Sequence, residues 1–578
     1  MCGIVGMVSS NQFSTLDVIA ALKRLEYRGY DSVGIATSDG WVSKDVGEID
    51  KFMDILEDRS ANLAISHTRW ATHGRVTKEN AHPHASNDGS IIVVHNGIIE
   101  NFEQMRAALR SKGYSFISQT DTEIIANYLE DKLRSGMGMQ KAIRSFMKDA
   151  EGTFAILIII KGEDTLYAAK RDSPLVLGIL GDGFVLASDI YAFSDKTSKS
   201  IFFDDNEYAV ITPRSYTFYV DSKEIEKQIT EVQWTGISEK DEKYEHYMIK
   251  EIHEQPVAAR RLIESMDTTQ RSKMDLLARL CRQCKRVLFV AAGTSYHASL
   301  AGVYMFNSIG IEAHTLIASE FQNFMLVNED ALVIAISQSG ETMDVVKAIK
   351  YAKDKGSKIV SIVNVPYSTV QRLSEVSVEI LAGQEICVAS TKTYTNQVLI
   401  LICLANLLGF RTDIKSIPEM IGSTIESSEE KVMELSRSMS DTRDIYVIGR
   451  GISYPLSREV ALKLKEISYI HAEGMMGGEL KHGTIALIEE GTIVFSFIPN
   501  TDYEMLSNTQ EVAARGAHVI MISDNPEFEP TFLLPPSVPG SFSVTATIIG
   551  QLFAYYIAKE KGLPIDKPRN LAKSVTVK

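Results

Sequence analysis

"LVIAISQSGETMDVVKAIKYAKDKG", residues 332–356, decides how the larger part of this chain folds. It reads as a buried strand, a serine-rich turn and then a helix that starts near Thr342. The same order recurs. "RVLFVAAGTS" (286–295) is an apolar strand ending in a Gly-Thr-Ser turn, "KIVSIVNV" (358–365) is another strand, and "DIYVIGRGISYPLSREVALKLKE" (444–466) repeats strand, Gly-rich turn, helix. Gly293-Thr294-Ser295 and Gly451-Ile452-Ser453 align at an offset of 158 residues (451 − 293). Two diverged copies of one doubly wound α/β unit are therefore expected, over residues 277–415 and 436–569. The first copy has Ser-rich turns, whereas the second reads "IPNTDYE" where its next turn should fall, so one phosphate-type site is expected.

Working outward, the first 215 residues have a different texture. Short apolar runs such as "LAISHT", "SIIVVHNG", "TFAILIIIKG", "TLYAAK" and "GFVLASD" are punctuated by Asp88-Gly89, Asn96-Gly97 and Asp182-Gly183. Helical segments are expected near residues 15–25 and 121–132, outside stacked antiparallel sheets. Residues 216–245 are polar without a strong period and read as a linker. The whole is a multidomain α/β chain.

Composition bounds the partners. The chain has 45% hydrophobic and 23% charged residues, as soluble globular proteins do. A net charge of −14 argues against nucleic-acid or membrane-surface binding. "VLILICLANLLGF" (398–410) is too short to span a bilayer and reads as a buried helix. The start of the chain lacks the charge and apolar stretch of a signal peptide. Five scattered cysteines fit a reducing compartment, and Cys281-x-x-Cys284 lacks a second pair for zinc. A cytoplasmic chain is expected.

Several stretches carry two readings each. "MCGIVG" offers Cys2 either as a half-buried strand residue or, once Met1 is removed, as a thiol nucleophile with an α-amine as its own base. "SHTRWATHG" sets Arg69, Trp70, Thr72 and His73 after a strand, and an Arg there can fork onto a carboxylate. Asn96-Gly97 is a hairpin turn or an oxyanion hole. Asp121 in "SQTDTE" is a helix N-cap or an anion for a substrate ammonium. Ser337, Gln338, Ser339 and Thr342 either cap a helix or present hydroxyls and free N–H groups to an anion. Thr294, Ser295 and the "VAST" run of Val388 and Ser390 add groups suited to a polyhydroxylated ligand. Glu459, Lys463 and Glu466 share a helix face, as a solvated ion-pair stripe or as a base beside an ammonium. His482 in a Gly-flanked loop is a candidate acid/base imidazole. A terminal nucleophile, an Arg, an Asp and an oxyanion hole together describe a site for an amino acid side-chain amide.

These stretches, with "RGYDSVGIA", "NAHPH", "ASTKTYT", "GELKHG" and the closing "PRNLAKSVTV", resemble the isomerising glutamine–fructose-6-phosphate aminotransferases. The resemblance implies an N-terminal nucleophile αββα sandwich with class II glutamine amidotransferase activity (2–215), two sugar-isomerase (SIS) domains and a catalytic tail at 570–578. It implies L-glutamine and fructose 6-phosphate as substrates, a homodimer, and neither metal nor organic cofactor. Carried over, Cys2 attacks the amide, Asn96 and Gly97 form the oxyanion hole, and Arg69 and Asp121 hold the glutamine with Thr72 and His73 nearby. Ser337, Gln338, Ser339 and Thr342 hold the sugar phosphate, while Thr294, Ser295, Val388 and Ser390 line the sugar site. Lys573 forms a Schiff base, Glu466 moves the proton between carbons, His482 assists ring opening, and Glu459 and Lys463 support them. Trp70 resembles the family's gate to an ammonia channel.

Overall fold

A computed structural model of the chain describes residues 2–71, 74–232, 243–324 and 326–575. Thr72 and His73 lie outside the described residues, as do positions 576–578 of the tail. The chain divides into two compact units, Met1–Thr235 with Ser574–Lys578, and Gly236–Lys573.

The first unit holds an eight-stranded and a seven-stranded sheet. Apolar residues of both, among them Ile4, Val8, Leu63 and Ile65 with Ile92, Val94 and Leu157, form one fully buried layer. Helices Phe102–Ser111, Glu123–Arg134 and Met139–Asp149 cover the outer face of the seven-stranded sheet through Met105, Ile125, Ile143 and Phe146. Helices Thr15–Lys23 and Ile49–Ile55 complete the set among the described residues. The two helical segments expected from sequence are therefore two of five. The stretches at 102–111 and 139–149 are strongly amphipathic but polar on average, which hid them between the apolar strand runs.

The expected linker is also different in its first part. Tyr216–Val220 and Lys223–Ile225 form a hairpin at one edge of the seven-stranded sheet, and Thr230–Glu231 lies at the edge of the other. Edge strands bury little; among these residues only Phe218 is fully buried, so the segment reads as polar although its backbone is paired.

The second unit contains the repeat. One five-stranded parallel sheet places Ala313–Ile317 at its edge, then Arg286–Ala291, Ala331–Ser337, Lys358–Val363 and Val376–Glu379. The other has His471–Met476 at its edge, then Asp444–Gly449, Ile493–Ile498, His518–Ser523 and Phe532–Leu533. Both run second–first–third–fourth–fifth in chain order, so the duplication seen at 158-residue spacing is a duplication of topology. Helices Lys392–Leu408 and Phe542–Glu560 are almost wholly buried among the packed elements, which explains their continuous apolar runs.

Candidate active sites

In the first unit, strand Gly3–Ser14 pairs antiparallel with Ser60–Arg69, Gly3 standing opposite Thr68. That register brings Arg69 and Trp70 beside Cys2. The Trp70 N–H donates to Cys2 Sγ at 3.4 Å, and the thiol donates to the Trp70 carbonyl at 3.6 Å. Asn96 Nδ2 donates to the Cys2 carbonyl at 2.9 Å. Burial pushes the Cys2 thiol up; the amino-terminal charge, the Trp70 N–H and Arg69 pull the other way.

Asn96-Gly97 is not a hairpin turn. Strand Ile91–Ile99 runs through it, with Asn96 opposite Ala155 and Gly97 opposite Phe154. Gly97 has φ +133°, and a Cβ there would stand 2.1 Å from the Thr153 carbonyl oxygen. Only glycine fits that kink in the strand. Asp121 is not the helix cap either, since Thr122 holds that position before Glu123–Arg134. The Asp121 carboxylate instead accepts the Ile99 N–H at 2.8 Å. Arg69 is buried and donates to the Gly74 and Arg75 carbonyls at 3.4 and 3.3 Å. Burial lowers its guanidinium, and Cys2, Asp31 and Asp121 oppose that. Cys2, Arg69, Asn96, Gly97 and Asp121 are thus brought together, with the Trp70 backbone bonded to the Cys2 thiol.

In the second unit, the turns after the first and third strands of the first sheet diverge from adjacent strands, the switch point where open α/β sheets bind ligands. Thr294 and Ser295 open helix Gly293–Ser308 on one side, and Ser337 to Thr342 lie on the other. The Ser337 hydroxyl accepts the Gly340 N–H at 3.0 Å and stands 3.4 Å from Thr342 Oγ1, while Ser339 Oγ accepts the Glu341 N–H at 3.2 Å. Thr342 occupies the cap position of helix Met343–Asp354 but its side chain makes no capping bond, so ordinary N-capping does not account for it. The equivalent turns of the second copy carry an ion pair: Arg450 pairs with Asp502 at 3.7 Å and with Glu504.

Glu459 and Lys463 are not a solvated stripe. Both are fully buried on helix Ser453–Lys463, with Nζ of Lys463 3.4 Å from Glu459 and paired with Glu466. Burial alone would lower the Lys463 ammonium; the charges of Glu466 and Glu459 override it and raise it. Glu459 also takes Thr294 Oγ1 at 3.0 Å and faces His297 Nδ1 at 2.8 Å, which ties the two repeats together at the turn of the first. Lys573 lies 13 residues past the last helix, Phe542–Glu560, yet its Nζ is buried against Glu385, the Cys387 carbonyl at 2.8 Å and Ser390 Oγ at 3.5 Å. The neighbouring Val388 N–H donates to the Asp566 carbonyl at 3.1 Å and pins the tail. The Cys387 thiol is buried beside Lys573, and burial pushes it well above the ordinary thiol value. His482 is exposed at the end of the 3-10 segment Gly477–His482 and makes no hydrogen bond or ion pair among the described residues.

Glu385, His297 and Cys387 were not singled out in the sequence. A signal existed for two: Glu385 is the lone acid in the otherwise uncharged stretch "ILAGQEICVAS", and His297 stands three residues after Thr294 on one helix face.

Known proteins match both halves. The SIS domain family matches residues 280–407 and 438–528, and the glutamine amidotransferase domain family matches residues 67–195. The glutamine–fructose-6-phosphate aminotransferase [isomerizing] of Thermococcus kodakarensis is 41% identical over 609 aligned positions, covering 100% of both chains. The chain belongs to this family. The isomerising glutamine–fructose-6-phosphate aminotransferase of Pyrococcus horikoshii is 40% identical over 605 positions, again with 100% of both covered. Among solved structures, the C-terminal domain of the aminotransferase from Francisella tularensis matches at 34% identity with a TM-score of 0.51, covering 56% of this chain and 99% of that one. Among the described residues no helix is long and apolar enough to cross a membrane.

Proposed function

We propose that this chain transfers the amide nitrogen of L-glutamine to D-fructose 6-phosphate with isomerisation, giving D-glucosamine 6-phosphate and L-glutamate, the first step of hexosamine synthesis. Full-length identity to relatives of that name carries the reading. The two side-chain groupings supply the chemistry.

Cys2 Sγ attacks the glutamine amide carbon, its proton passing to the α-amine that removal of Met1 frees. The Asn96 amide and the Gly97 N–H donate to the oxyanion. Ammonia leaves, and water releases glutamate from the thioester. Arg69 and Asp121, with Thr72 and His73, grip the carboxylate and ammonium of the substrate. In the second unit Ser337, Gln338, Ser339 and Thr342 hold the sugar phosphate at the helix N-terminus. Thr294, Ser295, Val388 and Ser390 line the sugar. Lys573 forms an imine with the ketose, ammonia adds to the imine carbon and displaces the Lys573 amine to leave the sugar imine, and Glu466, anchored by Lys463 and Glu459, moves the proton between the two carbons. Ring opening falls to His482. Trp70 gates the passage of ammonia. The chemistry needs no metal or organic cofactor. The enzyme works as a homodimer in the cytoplasm, away from membranes and nucleic acid.

Incubation with glutamine and fructose 6-phosphate should yield glutamate and glucosamine 6-phosphate in equal amounts. Removal of the residues after Asn570 should abolish the amino sugar and leave glutamine hydrolysis. Glutamate without amino sugar from the full chain would refute the assignment. Sedimentation of the purified protein tests the dimer.

A further inference from the structure

Lys573 and Glu385 meet as a buried ion pair across 188 residues of sequence. The other two acceptors on Nζ are the Cys387 carbonyl and Ser390 Oγ, so an ammonium here has a partner for each of its three protons. The Glu385 carboxylate is itself held by the Thr391 and Thr393 N–H groups at 2.9 and 3.1 Å and by Thr393 Oγ1 at 2.7 Å. Its position is therefore fixed by the start of helix Lys392–Leu408, independently of the tail.

An ammonium has no lone pair. Before Nζ can attack a carbonyl it must lose one proton, and a carboxylate oxygen of Glu385 already sits on that N–H. We propose that Glu385 takes the proton Lys573 sheds before imine formation and returns it to the oxygen that leaves as water. This rests on the Schiff-base role of Lys573 put forward above. The balance is closed. The freed lone pair forms the Nζ–C bond, and the carbonyl π pair moves to oxygen. Oxygen takes one proton from the attacking nitrogen and one back from Glu385, and departs as water while nitrogen re-forms a double bond to carbon as the iminium. The sum is R–NH3+ plus O=C giving R–NH+=C plus H2O, with no oxidant or reductant.

The electrostatics favour a proton that moves in both directions. Burial raises the Glu385 carboxyl, and the Lys573 ammonium overrides it, holding it down to about 2. Once the proton has crossed, that ammonium and its lowering effect are gone; the hydrogen bonds from Thr391 and Thr393 still oppose burial, but the carboxyl holds the proton better than it does beside the ammonium. The other ionisable groups facing this pocket do not compete. Glu251, on helix Tyr247–His253, is pushed up to about 8 by burial and by the charge of Glu385, so it already carries a proton at neutral pH. Lys392 is paired with Glu254 at 2.6 Å, Asp566 accepts the Tyr247 and Met248 N–H groups at 2.9 Å, and burial keeps the Cys387 thiol protonated.

The test is borohydride trapping of fructose 6-phosphate on the full chain, with the adduct mapped by peptide mass spectrometry. Hydrogen exchange over residues 564–573 is followed in the same samples. Wild type should carry the adduct on Lys573; an adduct elsewhere would remove the Schiff-base reading and this one with it. Glu385→Gln should keep the tail protected and bind fructose 6-phosphate as wild type does. Its trapping rate should fall by ~10²–10⁴, the span of general acid–base catalysis. Glu385→Asp should recover part of the rate. Trapping by Glu385→Gln at the wild-type rate would overturn the proposal. So would loss of tail protection in step with loss of trapping, because Glu385 would then be an anchor and not a proton carrier.

Discussion

Cys2 and Trp70 hold each other in both directions: the Trp70 N–H donates to Sγ at 3.4 Å and the thiol donates to the Trp70 carbonyl at 3.6 Å. The proposed nucleophile is thus oriented by the backbone just past strand Ser60–Arg69. Burial is the largest influence on the thiol and raises it, with the amino-terminal charge and Arg69 opposing. The thiolate is the reactive form. Alkylation of Cys2 should therefore keep accelerating as pH rises beyond the ordinary thiol value of about 8.5. Arg69→Ala removes one opposing charge and should move the curve further alkaline. Cys2→Ala should abolish glutamine hydrolysis and leave fructose 6-phosphate binding intact. Peptide-resolved alkylation rates against pH check the sign; an Arg69→Ala curve displaced toward acid would contradict it.

Gly97 should tolerate no side chain. With φ at +133° and the Thr153 carbonyl oxygen 2.1 Å from where a Cβ would stand, Gly97→Ala must push two paired strands apart. Strain of this kind costs about 1–3 kcal/mol. The strand carries Asn96, so glutamine hydrolysis should fall by far more than stability does. Calorimetry and glutaminase kinetics measured side by side would show this, and wild-type turnover in Gly97→Ala would exclude an oxyanion role.

The turn at 337–342 gives a prediction about ligand charge. Ser339→Ala or Thr342→Ala removes one hydroxyl and leaves the backbone donors. A hydrogen bond to a charged group is worth about 1.5–3 kcal/mol, or one to two decades of affinity for fructose 6-phosphate. Titration calorimetry with fructose 6-phosphate and with fructose separates the cases. Equal weakening of both sugars would mean that the turn does not hold phosphate.

Glu251 gives a pH-dependent stability. Its carboxyl is raised to about 8 in the folded chain, chiefly by burial. A group raised on folding contributes stability that is whole below its unfolded value, about 4.3, and is lost as pH rises toward 8. Glu251→Gln keeps the shape and cannot ionise. Its stability relative to wild type should therefore climb between pH 5 and pH 8 and then level off, by an amount on the order of a few kcal/mol. Melting temperatures of the two proteins across that range check it. A difference that stays flat would show that Glu251 is ionised when folded.

The repeat and the two textures of the chain were legible in the amino-acid order alone. These are local properties. A buried parallel strand is a continuous apolar run, a turn between strand and helix is glycine and serine, and both survive duplication. It did not determine which of two meanings a local pattern had. Asn96-Gly97 has the composition of a hairpin, and only the pairing of Ile91–Ile99 with Gly152–Ile160 makes it a kink inside a strand. Glu459, Lys463 and Glu466 have the spacing of a surface stripe, and only the packing of the two repeats buries the first two of them. The edge hairpin at Tyr216–Val220 has too little buried area to mark itself as a strand. Above all, Lys573 meets Glu385 from 188 residues away. Charge pairing of that kind is a property of how the tail lies on the fold, because burial is what makes each group need the other, and burial is set by tertiary structure alone.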